Sequence, residues 1–301
     1  MGVMEMVSRV GEWSIQRLVA ATGRRLAGGE APWLDGPLGG AEPIGPAVYE
    51  RFAAEHGLEA EVNPPGAGLL TRFEELAGPE CDPAAVHPLI RTFYERTVDF
   101  SADVWLEWQG IVGVGARMLV ALVSPRMQQF NLPLGAIEAA QGMRSDIVRL
   151  SDPATGRMAY AGWLRHVQAS RRVLYAGFYT TATPPRAPGP CIKAVFPVPH
   201  GATTVILRPV SHADGSFTLD TRGRGFGAPG FYRLHGVPRA LRVRRFAVHE
   251  QIHNYVDAQG VMRTDHRIRY LGRQFVHMHY KLTPRIASQP VTSSVTGGGS
   301  G

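Results

Sequence analysis

Lysine is almost missing from this chain: of its 32 Lys and Arg residues, only Lys193 and Lys281 are lysines. The formal charge of +7 is therefore carried by arginine. The arginines are scattered, with one close group at Arg239, Arg242, Arg244 and Arg245. A nucleic-acid footprint needs a basic patch or stripe on one face. A dispersed arginine bias beside many Ala, Gly and Pro residues does not supply one, so no nucleic-acid partner is expected. Cysteine is scarce too. Cys81 and Cys191 stand far apart, which excludes a disulfide framework and suits free thiols in a reducing compartment. Long apolar runs are absent as well. The longest, Ile111 to Val123, contains Arg117 and is short of the roughly 20 residues a membrane-spanning helix needs. Glu5 and Glu12 interrupt any secretory pattern at the N-terminus. Met6 occupies the place where a myristoylation motif needs Ser or Thr. These absences lead us to expect a cytoplasmic chain.

The 44% of hydrophobic residues suits an ordinary globular core. From Val3 to about Leu26, apolar residues at Val3, Met6, Val7, Val10, Leu18, Val19 and Leu26 recur at helical spacing, with arginines elsewhere. This predicts an amphipathic helix docked on the body; contact with a membrane surface is the sharper alternative. A Gly- and Pro-rich linker is expected from Ala27 to Pro46, so residues 1–46 form a first unit. Residues 47–146 are expected to be a helical region packing on the C-terminal half of the chain. Helices are predicted at Ala47 to His56, at Leu69 to Ala77, from an Asp82 N-cap with Pro83 towards Val98, where Pro88 could split it, and at Met118 to Val123. Asp103 to Trp108 suits helix or strand.

From Ile147 the pattern changes to alternation, with turns at the spacing of roughly 8–12 residues that marks an all-β domain. About ten strands are expected: Ile147–Leu150, Arg157–Val167, Arg172–Thr181, Cys191–Pro197, Thr203–Val210, Ser216–Asp220, Gly230–Leu234, Leu241–Val256, Val261–Leu271 and Gln274–Leu282. Without crossover helices they must pair antiparallel. The fold class is thus α+β, with N-terminal helices followed by a roughly ten-stranded antiparallel barrel or sandwich over 147–285; a calycin-like barrel is favoured. Residues 286–301 read as a disordered tail ending in a Gly-rich linker.

Two motifs resemble known sites. Gly225-Phe226-Gly227-Ala228-Pro229-Gly230 matches G-x-G-x-x-G, but a dinucleotide fingerprint must open a helix, and here Pro229 is followed by a strand-like Phe231-Tyr232-Arg233-Leu234. It reads as a turn. His249-Glu250-Gln251-Ile252-His253 matches the H-E-x-x-H of zinc hydrolases. Yet Phe246, Val248, Ile252 and Val256 are apolar at even positions, which is strand alternation. In a strand, residues four apart lie about 13 Å apart at ~3.3 Å per residue. His277 and His279 share a strand face but should point outward beside Lys281. No metal and no cofactor is expected.

The Asp257-Ala258-Gln259-Gly260 segment suits a hairpin loop with Gly260 left-handed. Counting outward, Val256 opposes Met262, Asn254 opposes Thr264, Ile252 opposes His266, Glu250 opposes Ile268 and Val248 opposes Tyr270. The other face pairs His253 with Asp265 and Gln251 with Arg267. One face is then apolar except for Glu250, Asn254, Thr264 and His266. A carboxylate there needs a partner, and the diagonal neighbour His266 is within reach. Either the two are a structural pair, or they form the polar floor of a ligand cavity.

His87-Pro88-Leu89-Ile90-Arg91, Phe93-Tyr94-Glu95, and Tyr255-Val256-Asp257 with Gly260 and Arg263-Thr264-Asp265-His266 resemble stretches of a family of uncharacterised bacterial proteins. The resemblance covers roughly residues 80–283 and implies no activity and no site. The function expected from the residues is binding of a small, largely apolar molecule in a barrel cavity. Glu250 and His266 are the candidate catalytic groups, and Asn254, Thr264, Ile252 and Tyr270 the candidate ligand-binding groups. The alternatives are a metal-independent cyclase or isomerase using the Glu/His pair, and a zinc-dependent hydrolase through the HEQIH segment.

Overall fold

The computed structural model describes residues 3–40, 44–45, 47–109, 143–167, 173–237 and 240–285. Among them are three α-helices: α1 Val3–Thr22, α2 Val48–His56 and α3 Pro88–Glu95. The strands are β1 Arg24–Leu26, β2 Glu59–Val62, β3 Phe100–Trp108, β4 Met143–Ser151, β5 Met158–Val167, β6 Val173–Ala182 and β7 Cys191–Val198. They continue with β8 Gly201–Ser211, β9 Phe217–Asp220, β10 Gly230–Val237, β11 Ala240–Phe246, β12 Val248–Val256, β13 Met262–Tyr270 and β14 Arg273–Pro284.

All fourteen join one antiparallel sheet in the order β2-β4-β5-β6-β7-β8-β9-β12-β13-β14-β3, with β10, β11 and β1 branching from β8. The branch point follows from the length of β8. Gly201 to Leu207 pair with β7, and Gly201 to Ile206 pair with β10. Arg208 to Ser211 pair instead with β9. One strand therefore belongs to both halves of the fold, the first made of β1, β2, β4 to β7, β10 and β11 with β8, and the second of β9, β12, β13, β14 and β3. β3 and β4 come into contact, but among the described residues no ladder joins them, and the sheet does not close.

Both faces of the first half are covered. Its inner face meets the second half around Phe73, Phe93, Ile192, Val205, Phe217, Leu219 and Leu282. Its outer face packs under α2, where Tyr49, Leu150, Leu164, Phe178 and Val195 are buried. Gly162 is required there, because a Cβ on it would stand 2.5 Å from the Tyr49 ring. Tyr49 donates from its hydroxyl to the Gly177 carbonyl at 3.1 Å.

Several predicted elements change extent for local reasons. The first helix stops at Thr22, and Gly23 closes it by donating to the Val19 carbonyl at 2.8 Å. Arg24 to Leu26 then pair with Val243 to Leu241 of β11. Within α1, Val19 is buried but Leu18 is exposed. The Gly- and Pro-rich stretch after it is no slack tether: Pro32–Leu34 form a 3-10 turn, and Trp33 and Leu34 are buried against Tyr232. Glycine and proline there set turns around an aromatic anchor.

The helix expected at Leu69–Ala77 is only the 3-10 turn Phe73–Leu76. Asp82 does cap, accepting from the Ala84 amide at 2.9 Å, and Pro88 does split the segment. A 3-10 turn at Pro83–Ala85 is followed by α3. The region expected to be helical also contributes β2 and β3 to the sheet. The strand expected from Leu241 to Val256 is two strands, β11 and β12, separated at Ala247. The chain crosses there from one half of the sheet to the other. The helix expected at Met118–Val123 and the tail from residue 286 lie outside the described residues.

Candidate functional site

The hairpin of β12 and β13 sets the site. Its loop is the expected one: Gly260 has φ 74°, and its amide donates to the Asp257 carbonyl at 2.9 Å. The register is also the expected one throughout, from Val248 opposite Tyr270 to Val256 opposite Met262. Glu250, Ile252, Asn254, Thr264, His266 and Ile268 therefore share the inner face. They line a cavity of about 240 Å³ between the two halves of the sheet. Leu106 of β3, Tyr179 of β6, Phe196 of β7, Val205 of β8 and Met278 of β14 complete much of its wall.

Glu250 and His266 meet inside it. The Glu250 Oε1 to His266 Nε2 distance is 2.5 Å, and the two side chains are 12% and 13% exposed. The backbone at Glu250 is fixed by Thr221, which takes the Glu250 amide on its hydroxyl at 2.8 Å and donates its own amide to the Glu250 carbonyl at 3.0 Å. The His266 ring stacks on Tyr280, with centroids 6.1 Å apart. The carboxylate is thus partnered, as its burial requires.

Asn254 is 1% exposed, and its amide is fully engaged as a donor. It donates to the Tyr94 hydroxyl at 3.2 Å and to the Phe217 carbonyl at 3.3 Å, and its Oδ1 accepts from Thr264 Oγ1 at 2.8 Å. These bonds tie α3, β9, β12 and β13 together at one point. Ile252 presents an apolar side chain to the cavity. Tyr270 does not take part: at the end of β13 it is 41% exposed and outside the cavity wall. The pairing of β13 with β14 shifts register between Ile268 and Arg269, so strict alternation from the middle of the strand does not carry through to Tyr270.

A group that sequence reasoning did not single out lies opposite. Arg165 of β5 lines the cavity and is 6% exposed. Its guanidinium carbon lies 4.6 Å from the Trp163 ring centre, 5.4 Å from that of Tyr280 and 5.6 Å from that of Tyr175. Its Nε donates to Ser145 Oγ at 3.2 Å. Burial works against its charge, but Tyr175, Tyr280 and Tyr179 more than offset this and hold its pKa above the ordinary value. Parity puts Arg165 on the same strand face as Trp163, but with both faces of β5 covered this did not mark it in the sequence. Burial pushes the phenols of Tyr175, Tyr179 and Tyr280 upward, so they remain neutral donors.

The HEQIH segment lies within β12, so the helical turn that would set both imidazoles side by side is not formed. They point to the outer face and have separate partners. His249 Nε2 lies 2.9 Å from Asp220 Oδ1, and His253 Nδ1 lies 3.0 Å from Thr218 Oγ1. His253 and Asp265 do stand opposite one another, as expected, but the carboxylate makes its hydrogen bonds elsewhere. Asp265 Oδ1 lies 2.9 Å from His277 Nε2 and 3.3 Å from His279 Nδ1, and Oδ2 accepts from Arg267 at 2.7 Å. His277 and His279 do face outward. Among the described residues no group of three or more His, Cys, Asp and Glu side chains is arranged to hold a metal ion. Gly225 and Gly227 stand at φ 79° and 88° in a turn before β10, not at a helix start.

No protein-family model matches this chain, and no solved structure matches it. It is 24% identical over 247 residues to the uncharacterized membrane protein YndJ of Bacillus subtilis (strain 168). The alignment takes in 78% of this chain and 41% of that protein, so the chain spans less than half the length of the relative it matches. That relative is bacterial and uncharacterised, as the resemblance implied. No helix among the described residues is long and apolar enough to cross a membrane; this says nothing of crossing by strands.

Proposed function

We propose that this protein binds a small, largely apolar molecule in the cavity between the two halves of its sheet. In this reading the sheet is a nearly closed barrel, interrupted between β3 and β4. The observation that carries it is the cavity of about 240 Å³, with apolar walls and a few converging polar groups. That composition is typical of small-molecule sites, and packed interiors hold few voids larger than a water molecule. The test uses N-phenyl-1-naphthylamine, an uncharged dye that fluoresces in apolar surroundings, with an Ala194→Phe variant. Ala194 is fully buried and lines the cavity. In a hollow interior the added ring fits: the variant folds with stability within about 1 kcal/mol of the parent, no more than the low end of the ~1–3 kcal/mol typical of overpacking, and dye binding falls. A loss of several kcal/mol, or dye binding that the ring leaves untouched, refutes the reading.

A second reading is favoured by one contact, the 2.5 Å approach of Glu250 to His266 at the cavity wall. A carboxylate and an imidazole so placed can exchange a proton with a bound substrate, which is general acid–base chemistry without a metal. Glu250→Gln keeps the shape and a neutral hydrogen bond. It should fold with a loss of about 1 kcal/mol and weaken binding or turnover. If it costs stability alone, with dye affinity unchanged, the pair is structural.

A further inference from the structure

We infer that the ligand of this cavity carries one anionic group, a carboxylate or similar acid on an otherwise apolar body, seated on the guanidinium of Arg165. The inference rests on the cavity-binding reading above and names the class of molecule bound. Arg165 is nearly fully buried and lines the cavity. Among the described residues no carboxylate lies within ion-pair distance of it; the cavity's own carboxylate, Glu250, is engaged by His266. An arginine does not shed its charge in a protein, and a buried charge without a counterion is costly. Its existing contacts are three aromatic rings, the bond from Nε to Ser145 Oγ and a hydrogen bond with the Tyr280 hydroxyl, all of them neutral. None is an anion, and a guanidinium fork is the group that receives a planar carboxylate in a bidentate fashion.

A second donor waits beside it. Trp163, whose ring Arg165 covers, lines the same cavity, and its indole N–H is buried with no acceptor. A buried donor without an acceptor is rare in folded proteins. A guanidinium without a carboxylate and an indole N–H without an acceptor, side by side in one cavity wall, define an acceptor-rich, negatively charged end for the ligand. The remaining wall, with Leu106, Ile192, Val205, Leu219 and Met278, fits its apolar body. The sign follows from this asymmetry: the negative group in the cavity has an ionisable partner, and the positive group has only neutral ones.

The test compares two dyes that differ by one charge, 1-anilinonaphthalene-8-sulfonate and its uncharged parent N-phenyl-1-naphthylamine, at about 0.3 M salt to screen surface arginines. The wild-type protein should bind the sulfonate at least tenfold more tightly, and a folded Arg165→Met variant should lose that preference while keeping the neutral dye. Trp163→Phe should reduce the preference without abolishing it. Equal or better binding of the neutral dye to the wild type overturns the anion inference and leaves the cavity reading standing. So does a sulfonate preference that survives intact in folded Arg165→Met. If neither dye binds, the cavity reading fails and this inference with it. Should Arg165→Met not fold, displacement of the neutral dye from the wild type decides alone. Decanoate acting at lower concentration than 1-decanol supports the inference, and the reverse order, or equality, overturns it.

Discussion

Replacing Asn254 should destabilise the protein more than any other polar substitution on the inner face, and the loss should be coupled to Thr264. Asn254 is fully buried and makes three side-chain hydrogen bonds, to Tyr94, Phe217 and Thr264. A neutral intramolecular hydrogen bond contributes about 0.5–1.5 kcal/mol net, and a buried polar group left without a partner costs about 1–3 kcal/mol. In Asn254→Ala the Phe217 carbonyl keeps its place in the β9–β12 ladder, but the Tyr94 and Thr264 hydroxyls lose their partner. The expected loss is about 2–4 kcal/mol. Thr264→Val removes one bond and leaves the Asn254 oxygen bare, for about 1–2 kcal/mol. In the double variant the shared bond is counted once, so the two losses should fall short of additivity by about 1 kcal/mol. Urea denaturation, followed in parallel by circular dichroism and tryptophan fluorescence with an unchanged m-value, measures all three. Additivity to within about 0.3 kcal/mol, or an Asn254→Ala loss below about 1 kcal/mol, would show that the network is not what joins α3 to the sheet.

Two further outcomes follow from the titratable groups. Burial alone would raise the Asp265 carboxyl, but His277, His279 and the charge of Arg267 outweigh it and hold it below the ordinary carboxylate value. Its stabilising contribution is therefore complete above about pH 4, the unperturbed range, and is lost as pH falls through the depressed folded value. Asp265→Asn should lower stability at pH 7 and flatten the decline below pH 4 in acid titrations followed by circular dichroism; an unchanged acid slope counts against this. The thiols of Cys81 and Cys191 are pushed up by burial to about 11 and about 12. Ellman's reagent at pH 8 should therefore label neither in the native protein and both in urea, and fast native labelling of either would contradict their placement.

What was legible in the sequence was local. The β12–β13 hairpin could be built residue by residue, because the Asp257–Gly260 loop fixes one register and a one-residue slip would bury Arg263, Arg267 and Arg269. Glu250 and His266 were legible for the same reason. Arg165 was not. Both faces of β5 are covered, by the cavity and by the α2 side, so alternation there carries no inside-or-outside signal. The break at Ala247 did leave a trace that the single expected strand passed over: apolar residues are odd at Leu241 and Val243 and even from Phe246 and Val248 onward, a one-residue change of phase. The burial of Trp33 depends on contacts with Tyr232 and Phe226 almost two hundred residues on, and local composition registers only the turns around it. The partner change at Asp265 arises because a third strand, β14, brings His277 and His279 to it, which pairing two strands alone omits.

The doubly shared strand β8 governs how this molecule can open. Like the spine of a bound book, it holds both leaves, so they cannot part there without tearing hydrogen bonds on either side of Leu207 and Arg208. The fore-edge is the side where β3 meets β4 without a ladder. Small excursions should therefore widen the cavity from that side and leave the spine shut. In native-state hydrogen exchange, ladder amides around residues 205–208 should exchange only with global unfolding, while amides of β3 and the start of β4 exchange through cheaper local openings. A ligand arriving from solvent would take the same route.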